Sequence, residues 1–141
     1  MTQLTQTATE ASRYIEAAVE AAADKKAERI VVLDVSKQLV ITDHFVICSG
    51  RTERQVHAIG DAIEHRLHQD LDIKPLRREG QREARWVILD YVDFMVHVFQ
   101  TQERDYYDLE RLWADAPQLE LSHILQDGDD NDEPAAAAEA P

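Results

Sequence analysis

What this chain lacks narrows its function first. It has one cysteine, Cys48, so no disulfide forms within it, and a reducing cytoplasm is the compartment that its composition suits. No apolar run approaches the roughly 18 residues that span a bilayer, so no membrane segment is expected. The opening stretch, "MTQLTQTATE", lacks the basic-then-apolar order of a secretory leader. Basic residues are also scarce: 15 Lys and Arg stand against 28 Asp and Glu, for a net charge of −13. Six of the acids and none of the bases lie in "DGDDNDEPAAAAEAP" (127–141), leaving −7 for the rest. An acidic body argues against binding dominated by nucleic-acid phosphate. It favours solubility, or docking onto a basic partner.

What is present reads as one small domain, long enough at 141 residues to bury a core. Residues 1–10 are polar and are expected to form a flexible lead-in. From Ala11 to about Ala27, Ile15, Ala18, Val19 and Ala22 recur at helical spacing on a thin stripe. "RIVVLDVS" (29–36) and "HFVICSG" (44–50) are strands by length and residue type. Thr52 and Gln55 make a capping box, and Val56, Ile59, Ile63 and Leu67 give the following helix one apolar face. "KPLRREG" (74–80) is a short extended piece ending at a glycine turn. A hairpin follows, then an amphipathic helix, "RDYYDLERLW" (104–113), with Leu109, Leu112 and Trp113 inward. The order α-β-β-α-β-β-β-α implies an α/β fold with a mixed sheet, expected over residues 11–121. From residue 126 the chain is acidic and then Ala/Pro-rich, the composition of a disordered tail.

The hairpin, "RWVILDYVDFMVHVFQ" (85–100), interrupts an apolar run with two carboxylates and a histidine. A turn centred between Tyr91 and Val92 sets Asp90 against Asp93, Ile88 against Met95, and Trp86 against His97. Strand side chains alternate, so these six share one face, while Val87, Leu89, Phe94, Val96 and Val98 form a wholly apolar second face. The first face is apolar without suiting permanent burial, which is the character of a docking site. Tyr91 is expected at the turn tip, within reach of a partner. Taken singly, the two aspartates are ordinary turn residues and His97 an ordinary core histidine. Together with Trp86 they read as a binding face.

Other constellations carry less. His44 and Cys48 lie four residues apart on one strand, about 13 Å between Cα atoms, too far for a nucleophile and its base. His57, Asp61 and His65, with Glu64 and His68 beside them, have the residue types and helical spacing of metal ligands. That stripe points roughly 150° from the apolar face, and solvated surface is the simpler reading. No metal or cofactor is expected. Arg77, Arg78, Arg82 and Arg85 cluster before the hairpin, either as a solvated loop or as a minor contact to RNA phosphate.

Six segments together resemble the ribosomal silencing factors, the Iojap-related family: "VVLDVS" (31–36), "TDHFVICSG" (42–50), "RQVHAI" (54–59), "EG" (79–80), "WVILDYVDFMVHVF" (86–99) and "RDYYDLERLW" (104–113). They follow the family's order and spacing from the first helix to about Ala116. The resemblance implies a nucleotidyltransferase-like shape that binds the large ribosomal subunit at its fourteenth protein. There it blocks joining of the small subunit, repressing translation. Homodimers are common in the family. One departure stands out: the family usually has Gly where this chain has Val92, and a β-branched residue resists positive φ. An altered or widened turn is therefore expected.

The contrasting reading is a nucleotide-binding module or nucleotidyltransferase. That chemistry needs Gly-Ser at a helix start and two carboxylates one residue apart on the next strand. No Ser follows Gly50, and Asp90 and Asp93 are three apart. Catalytic residues are therefore not expected.

Overall fold

A five-stranded sheet in the order β1-β2-β5-β4-β3 organises the molecule. The structure is a computed structural model that describes the backbone of residues 2–125 and side chains from Ser12 onward. The tail at 126–141, expected as disordered, lies outside the described residues. In chain order the elements are α1 (Thr2–Asp24), β1 (Glu28–Asp34), β2 (His44–Gly50), α2 (Glu53–Leu71), β3 (Arg77–Glu79), β4 (Trp86–Asp90), β5 (Phe94–Gln100), α3 (Thr101–Tyr107) and α4 (Leu109–Leu112). Strands β2 and β5 are parallel, and the other three pairings are antiparallel. The expected α/β class with a mixed sheet is what the chain forms.

Helix α1 starts at Thr2, not at the expected Ala11, so residues 2–10 continue the helix backbone where a loose lead-in was expected. Nothing in "TQLTQTATE" breaks a helix, since the stretch holds neither Gly nor Pro. Its stripe of Ile15, Ala18, Val19 and Ala22 is buried. On α2, Val56, Ile59, Ile63 and Leu67 are fully buried, each contributing about 1.5–3 kcal/mol. The Thr52 hydroxyl accepts from the Gln55 backbone N–H at 3.1 Å. The Gln55 amide does more than an ordinary cap: it accepts from Arg51 N–H and donates to the carbonyls of Lys25 and Lys26. One side chain thus joins the end of α1 to the start of α2.

These two helices cover one face of the sheet, over Val46, Cys48, Val87, Leu89, Phe94, Val96 and Val98. The opposite face carries Leu33, Phe45, Ile47 and Phe99. These four are buried, packed with Ala116 and the half-buried Leu109 and Trp113, whereas Trp86, Ile88 and Met95 on the same face stay half-buried. The β4–β5 part of this face is thus left partly open.

The final helix is not continuous. Asp108 takes φ 51°, which ends α3 and restarts the chain as α4. Asp tolerates this left-handed conformation better than most residues. The break turns Leu112 outward to 73% exposure, correcting its expected inward position; Leu109 and Trp113 keep theirs in part. Buried Arg104 pins the pair of helices, donating to the Glu110 carboxylate at 2.6 Å, to Ser49 Oγ and to the Glu28 carbonyl at 3.2 Å each. Gly80 makes the expected turn at φ 83°, where an added Cβ would lie 2.0 Å from the Trp86 carbonyl oxygen. Only glycine fits that approach.

Candidate docking face

The hairpin closes one residue later than the sequence implies. Trp86 pairs with Phe99, Ile88 with His97, and Asp90 with Met95. Tyr91 N–H donates to the Phe94 carbonyl, so the loop is Val92 and Asp93. The expected pairs Trp86–His97, Ile88–Met95 and Asp90–Asp93 are therefore replaced. Face membership survives, because the partner of each residue moves by two and side chains alternate with period two. Trp86, Ile88, Asp90, Met95 and His97 lie on the less covered face, and Phe99 joins them. Asp93 leaves it for the exposed turn.

Two residues move from the expected interface to other roles. Tyr91 is buried on the opposite, helix-covered face, stacked on Phe94 at 4.8 Å. Its place at the turn tip is taken by Val92. Asp90 acts within the turn: Oδ1 accepts the Val92 N–H at 2.8 Å, while Oδ2 meets the Arg77 guanidinium at 3.2 Å. Val92 sits at φ 76°, and Asp93 N–H donates to the Tyr91 carbonyl at 2.9 Å, the bond of a γ-turn. The turn is therefore tight, not widened, and Val92 accepts a conformation that β-branched residues resist. Asp93 also receives the Asp43 N–H on its carbonyl, which ties the tip to the loop before β2.

At the other end of the face stands an aromatic group. The half-buried Trp86 ring stacks on Phe99 at 4.8 Å and meets Tyr107 of α3 at 4.8 Å. Its Nε1–H donates to His97 Nδ1 at 3.1 Å. His97 is 4% exposed and meets Phe45 edge to face at 4.6 Å; Phe45 in turn meets Trp113 at 5.6 Å. Burial lowers the His97 pKa to about 4, so the ring is neutral at ordinary pH. With Nδ1 accepting, the proton is on Nε2. Two amphipathic indoles, Ile88 and Met95 thus form a half-buried surface on a rigid sheet, with an exposed tyrosine at its edge. Such residues carry much of the energy in protein interfaces. Sequence reading missed Tyr107 and Trp113 as members, since only the chain reversal after β5 brings them there.

The model of the family described as "Ribosomal silencing factor during starvation" matches residues 8–141. The chain belongs to the ribosomal silencing factor family. A ribosomal silencing factor of Halalkalibacterium halodurans is 44% identical over 111 residues, covering 79% of this chain and 94% of that protein. A mouse protein named for mitochondrial assembly of the ribosomal large subunit is 28% identical over 93 residues, 64% of this chain and 40% of its own length. Among solved structures, one of a Chromobacterium violaceum protein matches with a TM-score of 0.70 at 32% identity, covering 73% of this chain and 85% of that one. Another, from Bacillus halodurans, has a TM-score of 0.68 at 41% identity, covering 77% and 98%.

The remaining constellations separate in space. On α2, Asp61, His65 and His68 are exposed, and among the described residues no group of three or more His, Cys, Asp or Glu could hold a metal ion. Cys48 is fully buried, and burial pushes its thiol up to about 12. Such a thiol is unreactive. The arginines do not form one patch. Arg77 reaches Asp90 on the docking face, while Arg78 reaches Glu64 on the helix side at 3.3 Å. Arg82 and Arg85 are exposed on the loop between β3 and β4.

Proposed function

We propose that this protein silences ribosomes by docking the outer face of β4 and β5 on the large ribosomal subunit. The contact is its fourteenth protein, and the bound domain blocks joining of the small subunit. One observation carries this reading: the sheet face of Trp86, Ile88 and Met95 remains only half covered, with Tyr107 and Trp113 extending it. Exposed Asp93 stands at its rim, while Asp90 shapes the turn, and the acidic domain complements a basic ribosomal protein, favouring fast encounter. His97 acts from beneath, as the acceptor that orients the Trp86 indole. Tyr91 belongs to the core. The names of the relatives, one of them for ribosomal large-subunit assembly, support a ribosomal partner.

The mechanism is steric and needs no chemical step. Among the described residues no helix is long and apolar enough to cross a membrane, and a cytoplasmic site of action fits a ribosomal partner. A homodimer as the free form and minor contacts of exposed Arg82 and Arg85 with ribosomal RNA complete the proposal. Co-sedimentation with separately purified subunits tests it. The protein should travel with large subunits and not small ones, and should lower the yield of joined ribosomes. A magnesium-dependent nucleotide turnover lost in Asp90→Asn would instead favour an enzyme.

A further inference from the structure

Near the C-terminal end of α2 lies a cavity of about 370 Å³ lined by Glu64, His65, His68, Lys74, Pro75 and Arg78. Four of these six are basic, in a chain whose net charge is −13. The sheet register explains why Arg78 comes here. It pairs with Leu89, whose side chain is buried under the helices, whereas its neighbour Arg77 pairs with Asp90 on the opposite face.

A second observation concerns a group near the Glu64–Arg78 pair that is not itself part of the lining. The Tyr91 hydroxyl is buried and finds no hydrogen-bond partner. Burial, above all, raises its pKa; the Glu64 charge raises it further and Arg78 opposes, so the hydroxyl feels both members of that ion pair. Glu64 is itself raised, mainly by burial. A buried hydroxyl without a partner marks a place where a water or ligand completes the bonding.

The chemistry of the lining selects the ligand. Lys74, Arg78 and two imidazoles offer donors, whereas the only charged acceptor of the lining is Glu64, already engaged by Arg78 at 3.3 Å. We propose that this cavity binds a phosphate group, with Arg78 and Lys74 neutralising it. A tetrahedral anion presents several acceptors at once, and a guanidinium fork matches two of them. The C-terminal dipole of α2 opposes an anion by about half a charge and Glu64 by up to one more, which the two positive charges of Lys74 and Arg78 together exceed. The phosphate comes either from a free nucleotide or from the backbone of RNA. This site lies on the helix-covered side and is independent of the docking face.

The test needs no ribosome. The ¹⁵N-labelled full chain is titrated with inorganic phosphate, guanosine 5′-monophosphate and an eight-nucleotide oligouridylate, following backbone amide signals. Saturable shifts centred on residues 64–78 are expected with at least one probe. Lys74→Gln with Arg78→Gln should weaken that binding about tenfold or more, while Arg77→Gln leaves it unchanged. Tighter binding of oligouridylate, falling steeply with salt, assigns the phosphate to RNA. Tighter binding of the mononucleotide assigns it to a free ligand. No saturable shift with any probe, or shifts that persist in the Lys74/Arg78 variant, overturns the proposal.

Discussion

The indole Nε1–H of Trp86 donates to Nδ1 of His97 across 3.1 Å, although the two are diagonal neighbours and not cross-strand partners. That bond selects one tautomer of the neutral His97 ring and holds the Trp86 ring against Phe99 and Tyr107. Removing the donor while keeping a ring leaves a buried nitrogen unpaired. Trp86→Phe should therefore destabilise the protein by about 1–3 kcal/mol. Adding His97→Leu, which removes the orphaned acceptor, should recover part of that loss. Urea unfolding of the two single variants and the double variant measures the coupling, which strict additivity would contradict.

The same burial makes stability pH-dependent. His97 has its folded pKa lowered from 6.5 to about 4. Between these values the unfolded chain takes up a proton that the folded chain refuses, so stability falls as pH falls. The loss begins near pH 6.5 and is complete near pH 4, reaching about 3 kcal/mol. Urea midpoints should decline over this window in the native protein. In His97→Leu the decline should be smaller by the histidine's share; an identical pH profile would contradict the assignment.

Val92 at φ 76° stores strain at the hairpin tip. A left-handed conformation costs a branched residue about 1–2 kcal/mol, partly offset by the greater chain entropy of glycine when unfolded. Val92→Gly should raise stability by up to about 1 kcal/mol and leave subunit binding intact. Thermal melting checks this, and a lowered melting temperature would show that the exposed Val92 side chain contributes more than the strain removes.

Where local pattern and tertiary packing agree, the sequence was sufficient. The apolar face of α2 follows from period 3.6, and β2 occupies the expected residues 44–50. The hairpin faces were legible because alternation survives a register change of two residues. The register was not, since it depends on a γ-turn at Val92 that the residue type argues against. The break at Asp108 was hidden for a similar reason: "DYYDLERL" has continuous helical spacing, and only the Arg104–Glu110 ion pair against Ser49 explains where the chain bends. The chain reversal after β5 brings Tyr107, and the bend brings Trp113, to the docking face, which no local pattern announces. The placement of Tyr91 failed with the register, because moving the turn by one residue drew its ring beneath α2.

The docking face is the central claim, and co-sedimentation with large subunits tests it most directly when the variants remain folded. Met95→Lys suits the purpose, because a long aliphatic stem can lie along the face while its charge repels a basic partner. Tyr107→Ala removes the exposed ring beside Trp86 at little cost to the core. With melting temperatures near that of the native protein, both variants together should weaken large-subunit binding at least about tenfold, in the range of interface hot spots. Folded variants that sediment with large subunits as the native protein does would place the contact elsewhere on the molecule.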